Sequence, residues 1–135
     1  MVGRGFSRVT PIKRGMNEKR AFWLAAADRY IDDCRRNGTV VRASELALRT
    51  GHTAVQLSRE FQSAAGVHVK DYLFRRQVDL AKELLRTTSK STAQIAAVTG
   101  FGTTRSFYRA FKRAAGVSPT AFRKEMSLEE ENIRH

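Results

Sequence analysis

The chain has 135 residues, of which 25 are Lys or Arg and 13 are Asp or Glu, so its formal net charge is +12. This length favours one domain, or one domain with tails. No apolar run approaches the roughly 18 residues of a membrane-spanning helix, and a lone cysteine, Cys34, excludes an internal disulfide framework and fits a reducing cytosol. The positive charge favours a polyanionic partner, most simply nucleic acid, over the alternative of a merely soluble basic protein.

Both ends of the chain lack regular apolar spacing. Residues 1–17 contain Gly, Pro and scattered Arg and Lys, which predicts a flexible basic arm. Periodicity begins at Glu18, and Asn37-Gly38 ends the helix that follows. The apolar face of that helix comprises Trp23, Ala27, Tyr30, Ile31 and Cys34. Residues 126–135 are predicted to be a flexible tail, which leaves residues 18–125 as the domain.

An internal repeat organises this domain. Residues 45–51 (ELALRTG) resemble residues 94–100 (QIAAVTG), and the AAGV of residues 64–67 recurs at residues 114–117. The offset between the copies is 49 before the turn and 50 after it, so the second copy has one additional residue near its turn. Neither copy shows the alternation of a β-strand.

Each copy predicts two short helices around a tight turn, at about residues 43–65 and 92–115. Gly51 and Gly100 stand where the first helix of each pair must end in a left-handed residue, which glycine adopts easily. The predicted N-caps of those first helices are Ser44 and Thr92. The second helix of each pair follows within three or four residues.

The remaining segments also predict helices. Residues 70–87, between the copies, have the apolar spacing of one longer helix, and Ser118-Pro119 restarts a helix after the second copy. The predicted fold class is therefore all-α, with two tandem helix-turn-helix subdomains joined by a long central helix.

The second helix of a helix-turn-helix unit fits the major groove of DNA and presents its outer side chains to base edges. At about 100° per residue, Leu57 and Phe61 face inward in the first unit, and Phe107 and Phe111 face inward in the second. The outward residues are then Val55, Ser58, Arg59 and Gln62 in the first unit and Arg105, Arg109 and Lys112 in the second, with Thr104, Ser106 and Tyr108 at the edges.

The second unit has a row of like charges. Arg105, Arg109 and Arg113 recur at i, i+4 and i+8, and no acidic residue occurs between Glu83 and Glu125. Like charges at that spacing destabilise a helix by about 0.2–0.5 kcal/mol per pair. The cost is understandable if DNA phosphates and guanine edges supply the missing negative charge; the alternative is a solvated basic face.

A series of motifs at fixed spacing runs through both units and the central helix. They are Leu46-Ala47, Gly51, Leu57, Arg59, Phe61 and Gly66, then Tyr72-Leu73 and residues 81–85 (AKELL), then Ile95-Ala96, Gly100-Phe101, Phe107, Arg109, Phe111-Lys112, residues 116–119 (GVSP) and Phe122-Arg123. With these motifs, residues from about 25 to 125 resemble the AraC/XylS family of bacterial transcription regulators. Three residues depart from the family's pattern: Arg105 replaces a small polar residue, Gln77 a frequent Arg, and His52 an aromatic residue or Met.

The resemblance implies two recognition helices that enter successive major grooves on one face of double-stranded DNA. Because both helices are on one chain, we expect a monomer to suffice. The base-reading residues that it implies are Val55, Ser58, Arg59, Thr104, Arg105, Ser106 and Arg109. We expect phosphate contacts from Thr53, Gln62, Thr103, Lys112 and Arg113. Family analogy favours activation through contact with RNA polymerase. The 40 residues before Val41 are too few for the separate effector domain of most members, so the sequence predicts a stand-alone regulator or a fragment.

A catalytic role would need a constellation of polar residues. His52, His68 and His135 lie far apart and lack ligand spacing with Cys34 or with carboxylates, and no glycine-rich phosphate loop occurs. We therefore expect no enzyme, no metal and no cofactor. Two alternatives stay open: a helical module whose basic face binds an acidic protein, and a nucleoid-type protein that binds DNA of any sequence.

Overall fold

The computed structural model describes the backbone of residues 2–134 and the side chains of residues 15–133. Within residues 2–134 every regular element of secondary structure is an α-helix. The helices are α1 (Val2–Asn37), α2 (Ala43–Arg49), α3 (Ala54–Ala65), α4 (Val69–Thr87), α5 (Thr92–Val98), α6 (Thr104–Ala115) and α7 (Pro119–Arg134). The predicted all-α fold class is confirmed, with α2–α3 and α5–α6 as the two helix-turn-helix pairs and α4 as the central helix.

The helices form two compact units. The first unit contains α1 up to Tyr30 together with Ala43–Tyr72, which includes α2, α3 and the first residues of α4. The second unit contains Ile31–Arg42 and the chain from Leu73 onward, which includes most of α4 with α5, α6 and α7. Each helix-turn-helix pair therefore has a core of its own.

Aromatic residues fill the core of the first unit. Phe61 of α3 is fully buried; its ring centroid lies 6.3 Å from that of Trp23 on α1 and 5.5 Å from that of Tyr72 on α4. Tyr72 is partly buried, and its hydroxyl donates a hydrogen bond of 2.8 Å to Asp28 on α1, so the ring packs on the core while its polar end is satisfied. These contacts fix the inward face of α3, as the sequence predicts for Phe61.

The core of the second unit is built on α4, α5 and α6. Its buried residues are Val78, Ala81, Leu85, Ile95, Ala96, Phe107 and Phe111. Gln77 is also buried, and its Nε2 donates a 2.9 Å hydrogen bond to the carbonyl oxygen of Thr99, the C-cap residue of α5. A neutral amide at this position thus holds the end of α5 against α4 without placing a charge in the core.

The two turns confirm the repeat and its one-residue insertion. Gly51 and Gly100 both adopt positive φ, at +74° and +78°. Residues 50–53 connect α2 to α3, whereas residues 99–103 connect α5 to α6, so the additional residue lies in the second turn. Gly102, in that longer turn, also has a positive φ of +88°.

The predicted N-caps of the first helices are wrong. α5 is capped by Ser91, whose Oγ accepts a 3.1 Å hydrogen bond from the backbone N–H of Gln94, while Gln94 Oε1 accepts one of 2.9 Å from the N–H of Ser91. This reciprocal pair needs Gln three residues after the cap, which Ser91 has and Thr92 lacks. α2 begins at Ala43, so Ser44 lies inside the helix instead of preceding it.

The outer helices extend beyond their predicted limits. α1 begins at Val2 and not near Glu18, and α7 continues to Arg134 through the segment predicted to be a tail. Apolar spacing marks the turns of a helix that pack on a core, whereas a helix that is already formed adds residues at one hydrogen bond each. The side chains of residues 1–14, on which most of the predicted basic arm falls, lie outside the described part of the chain.

Gly100→Ala should destabilise the protein more than Gly51→Ala. Both changes place a side chain at positive φ, at a cost of about 1–2 kcal/mol. Only at Gly100 would the added Cβ also overlap Val41 Cγ2 and lie 3.1 Å from the Val41 backbone nitrogen, whereas at Gly51 it would meet open space. We expect overpacking to add about 1–3 kcal/mol at Gly100. Urea unfolding of both variants measures the difference, and equal losses would contradict a close approach of Val41.

Candidate nucleic-acid interface

The recognition helix of the first unit, α3, starts from a capping box. Thr53 has extended φ and ψ of −77° and 163°, and its hydroxyl oxygen accepts a 3.1 Å hydrogen bond from the backbone N–H of Gln56. In return, Gln56 Oε1 accepts one of 2.9 Å from the Thr53 N–H. The helix ends at Gly66, which has a φ of +78° and donates its N–H to the Gln62 carbonyl. Residues 54–65 are thus held as a helix of fixed length and orientation.

The recognition helix of the second unit, α6, has the same frame. The Thr103 hydroxyl oxygen accepts a 3.0 Å hydrogen bond from the Ser106 N–H, and Gly116 ends the helix with a φ of +83°. Thr53 and Thr103, predicted to contact phosphates, are therefore both N-caps. A capping threonine still has its hydroxyl proton to donate, so this role and a phosphate contact are compatible.

One face of each recognition helix is buried and the other is exposed. Leu57 and Phe61 of α3, and Phe107 and Phe111 of α6, are at most 1% exposed. All twelve residues predicted to touch DNA are exposed: Val55, Ser58, Arg59, Thr104, Arg105, Ser106, Arg109, Thr53, Gln62, Thr103, Lys112 and Arg113. The inward residues are confirmed, whereas the roles of the twelve on DNA stay predictions.

The exposed faces of the two recognition helices differ in charge. Along α3, Arg59 is the one basic residue and Glu60 the one acidic residue. Along α6, Arg105, Arg109, Lys112 and Arg113 are all basic and no residue is acidic. The second helix therefore presents the stronger positive potential to a polyanion, and the first presents a nearly neutral surface with one arginine.

Two arginines in the stretch between Glu83 and Glu125, which has no acidic residue, make contacts inside the second unit. The guanidinium of Arg123 donates 3.1 Å hydrogen bonds to the carbonyl oxygens of Leu85 and Thr88, at and just beyond the end of α4. The guanidinium carbon of Arg113 lies 5.1 Å from the centroid of the Phe74 ring, a cation–π distance, although Arg113 remains exposed. Arg123 thus stabilises the end of a helix, and Arg113 is oriented by α4.

The first turn is fixed by contacts of His52 that the sequence did not predict. His52 Nε2 lies 3.3 Å from Glu60 Oε2 on α3, its Nδ1 lies 3.2 Å from the Thr50 hydroxyl, and its ring lies 5.0 Å from that of Trp23. His52 therefore holds the turn to the recognition helix that follows it. The departure of His52 from the family's pattern was the one available signal, and it does not name the partners, of which Thr50 and Glu60 are near in sequence and Trp23 is 29 residues away.

The model of the helix-turn-helix domain family matches residues 46–125, more than half of the chain. This chain belongs to the AraC/XylS family. The match begins in α2 and ends in α7, so it includes both helix-turn-helix pairs and the central helix. It therefore confirms the family assigned from the sequence motifs.

Two curated relatives are transcription regulators. The HTH-type transcriptional regulator Rv1931c of Mycobacterium tuberculosis is 34% identical over 89 residues, which are 66% of this chain and 34% of that protein. The HTH-type transcriptional activator AarP of Providencia stuartii is 32% identical over 79 residues, 58% of each chain. This chain thus spans less than two thirds of the length of either relative.

A solved structure shows the same fold. The DNA-binding domain of AdpA, crystallised in complex with a target DNA, superposes with a TM-score of 0.70 over 79% of this chain and 94% of that chain, at 22% sequence identity.

Two further features of the described residues concern membranes and metal ions. None of the described helices is long and apolar enough to cross a membrane. Among the described side chains, no group of three or more His, Cys, Asp or Glu could hold a metal ion.

Proposed function

We propose that this AraC/XylS family chain is a sequence-specific DNA-binding regulator of transcription in the bacterial cytoplasm. It binds one duplex through α3 and α6, each inserted into one of two successive major grooves. The observation that supports this most is the make-up of α6. Its inward face is fixed by the fully buried Phe107 and Phe111, and its outward face is exposed and has four basic residues without an acidic one. A helix held this rigidly can present side chains to base edges in one geometry.

The relatives support the same proposal. AarP is a transcriptional activator, and the AdpA domain, which has the same fold, was solved on its target DNA. We further propose that this chain activates transcription through contact with RNA polymerase. It binds DNA as a monomer, because its two recognition helices are on one chain and no second copy is needed to fill a second groove.

Selection of binding sites from random duplexes tests the proposal. We expect one asymmetric sequence of about two helical turns, bound by one protomer, at an affinity about 10³-fold or more above that for random DNA. Native mass spectrometry of the complex measures the stoichiometry. Equal affinity for all duplexes would favour the nucleoid-type protein, and an absence of salt-dependent binding would favour the protein-interaction module. A perfect palindrome bound by two protomers would contradict the monomer.

A further inference from the structure

We infer that the two recognition helices read different bases from one equivalent position. In this assignment Val55 of α3 contacts the 5-methyl group of a thymine, and Arg105 of α6 binds the edge of a guanine. The inference rests on the proposed function, since it names the bases that the same two helices select. The inference adds to the proposed function the two chemical groups of the DNA that are contacted, the thymine methyl group and the guanine edge, and each of these can be altered separately.

The structure makes Val55 and Arg105 equivalent. Thr53 and Thr103 are the N-caps of their helices, and each accepts a hydrogen bond from the backbone N–H three residues later. Both helices have 12 residues and end at a glycine with positive φ. Val55 and Arg105 are therefore each the second residue of a recognition helix, in the first turn, which is the part that reaches base edges in a major groove.

Val55 is suited to a methyl group. Its side chain is 65% exposed although it is apolar and β-branched, so it stabilises no core of its own unit. It has no hydrogen-bonding atom beyond the backbone, and cannot distinguish bases by donors or acceptors. In the major groove thymine is the one unmodified base with a methyl group, and apolar side chains recognise it by contact. Burying the two methyl-bearing groups against each other removes apolar surface from water.

Arg105 is suited to guanine. It is exposed, and α6 has no acidic residue that could pair with it along the same helix. The guanidinium presents parallel N–H donors that match the O6 and N7 acceptors of guanine, a pairing that neither adenine nor a pyrimidine offers. The same helix position in the two units thus selects a T·A pair through the first unit and a G·C pair through the second.

Single-group changes in the DNA test the assignment on the wild-type chain. Starting from the selected site, each thymine is replaced in turn by deoxyuridine, which removes the methyl group and leaves base pairing intact. We expect one position at which the affinity falls about fourfold, the effect of one buried methyl group. Cytosine and 5-methylcytosine at that position should differ by a similar factor. Because alanine keeps one methyl group of its own, Val55→Ala should reduce the difference in affinity between the thymine and deoxyuridine sites without needing to abolish it.

Protein variants provide the control and the reciprocal test. Leu48→Ala, which truncates a side chain of α2 that is 74% exposed, should keep the full response to deoxyuridine. In the double variant V55R/R105V, a new round of selection should return guanine where thymine was preferred and thymine where guanine was preferred. Because Val55 and Arg105 are both exposed, neither substitution should alter the thermal unfolding of the protein.

The outcomes separate the inference from the proposed function. A selected site at which no deoxyuridine weakens wild-type binding, or at which V55A responds like wild type, would overturn the inference and leave the regulator intact. If selection with the V55R/R105V variant returned the same sequence as selection with the wild type, the inference would likewise be overturned and the proposed function would stand. If selection returned no preferred sequence, both the inference and the proposed sequence-specific function would be contradicted.

Discussion

Phe111→Ala should lower the free energy of unfolding by about 3–5 kcal/mol. Phe111 is fully buried in the second unit, and its ring centroid lies 5.8 Å from that of Phe107 and 5.4 Å from that of Phe122. Truncation leaves a cavity where two neighbouring rings lose their contacts, and the small core cannot collapse fully around it. DNA binding should be lost only to the extent that the second unit unfolds.

The measurement is urea unfolding followed by circular dichroism, together with DNA binding at a temperature where the variant is folded. Phe61→Ala is the matching change in the first unit, where the side chain is also fully buried, and should cost a similar amount. Leu48→Ala, at an exposed side chain, should change stability by less than about 0.5 kcal/mol. A Phe111→Ala protein of normal stability that no longer binds DNA would show that Phe111 faces the nucleic acid.

The sequence predicted the parts of the fold that depend on neighbouring residues. Glycines at Gly51 and Gly100 identify the turns because the left-handed conformation is a property of the residue itself. The inward positions of Phe61 and Phe111 follow from helical spacing, because a helix has one geometry at every position. Because the repeat has a turn glycine and inward aromatic residues in both copies, each recognition helix could be assigned from its own residues.

The parts that the sequence did not predict depend on residues far apart in the chain. Arg123 lies in the stretch between Glu83 and Glu125 that has no acidic residue, yet its guanidinium binds the carbonyls of Thr88 and Leu85 near the end of α4, 35 and 38 residues away. The Phe74 ring beneath Arg113 and the Thr99 carbonyl that Gln77 binds are likewise distant in sequence. Net charge therefore overstates the basic surface available to DNA, and only packing shows which cations remain on it.

The basic residues of α6 should have two distinct effects on DNA binding: some contact bases and set the sequence preference, and others contact phosphates and add affinity for any duplex. Arg105→Ala should lose about 1–3 kcal/mol on the selected site, because a bidentate contact with guanine is removed, and should relax the preference at one base pair. Arg59→Ala should behave in the same way for the first unit. Lys112→Ala should weaken binding to all duplexes about equally, because a lysine lying further along the helix contacts a phosphate that every sequence has.

Salt titration distinguishes these classes. The slope of log K against log salt is negative, and each phosphate contact that is lost should reduce its magnitude by about 0.9. Lys112→Ala should show this reduction on both the selected site and random DNA. Arg105→Ala should narrow the difference in affinity between the two duplexes. Lys70→Ala, at an exposed lysine of α4, is the matched control and should leave the slope and the preference unchanged. If Arg59→Ala and Arg105→Ala alter affinity but never preference, specificity resides in the other outward residues or in the shape of the DNA, since two arginines that bind only phosphates cannot distinguish one base pair from another.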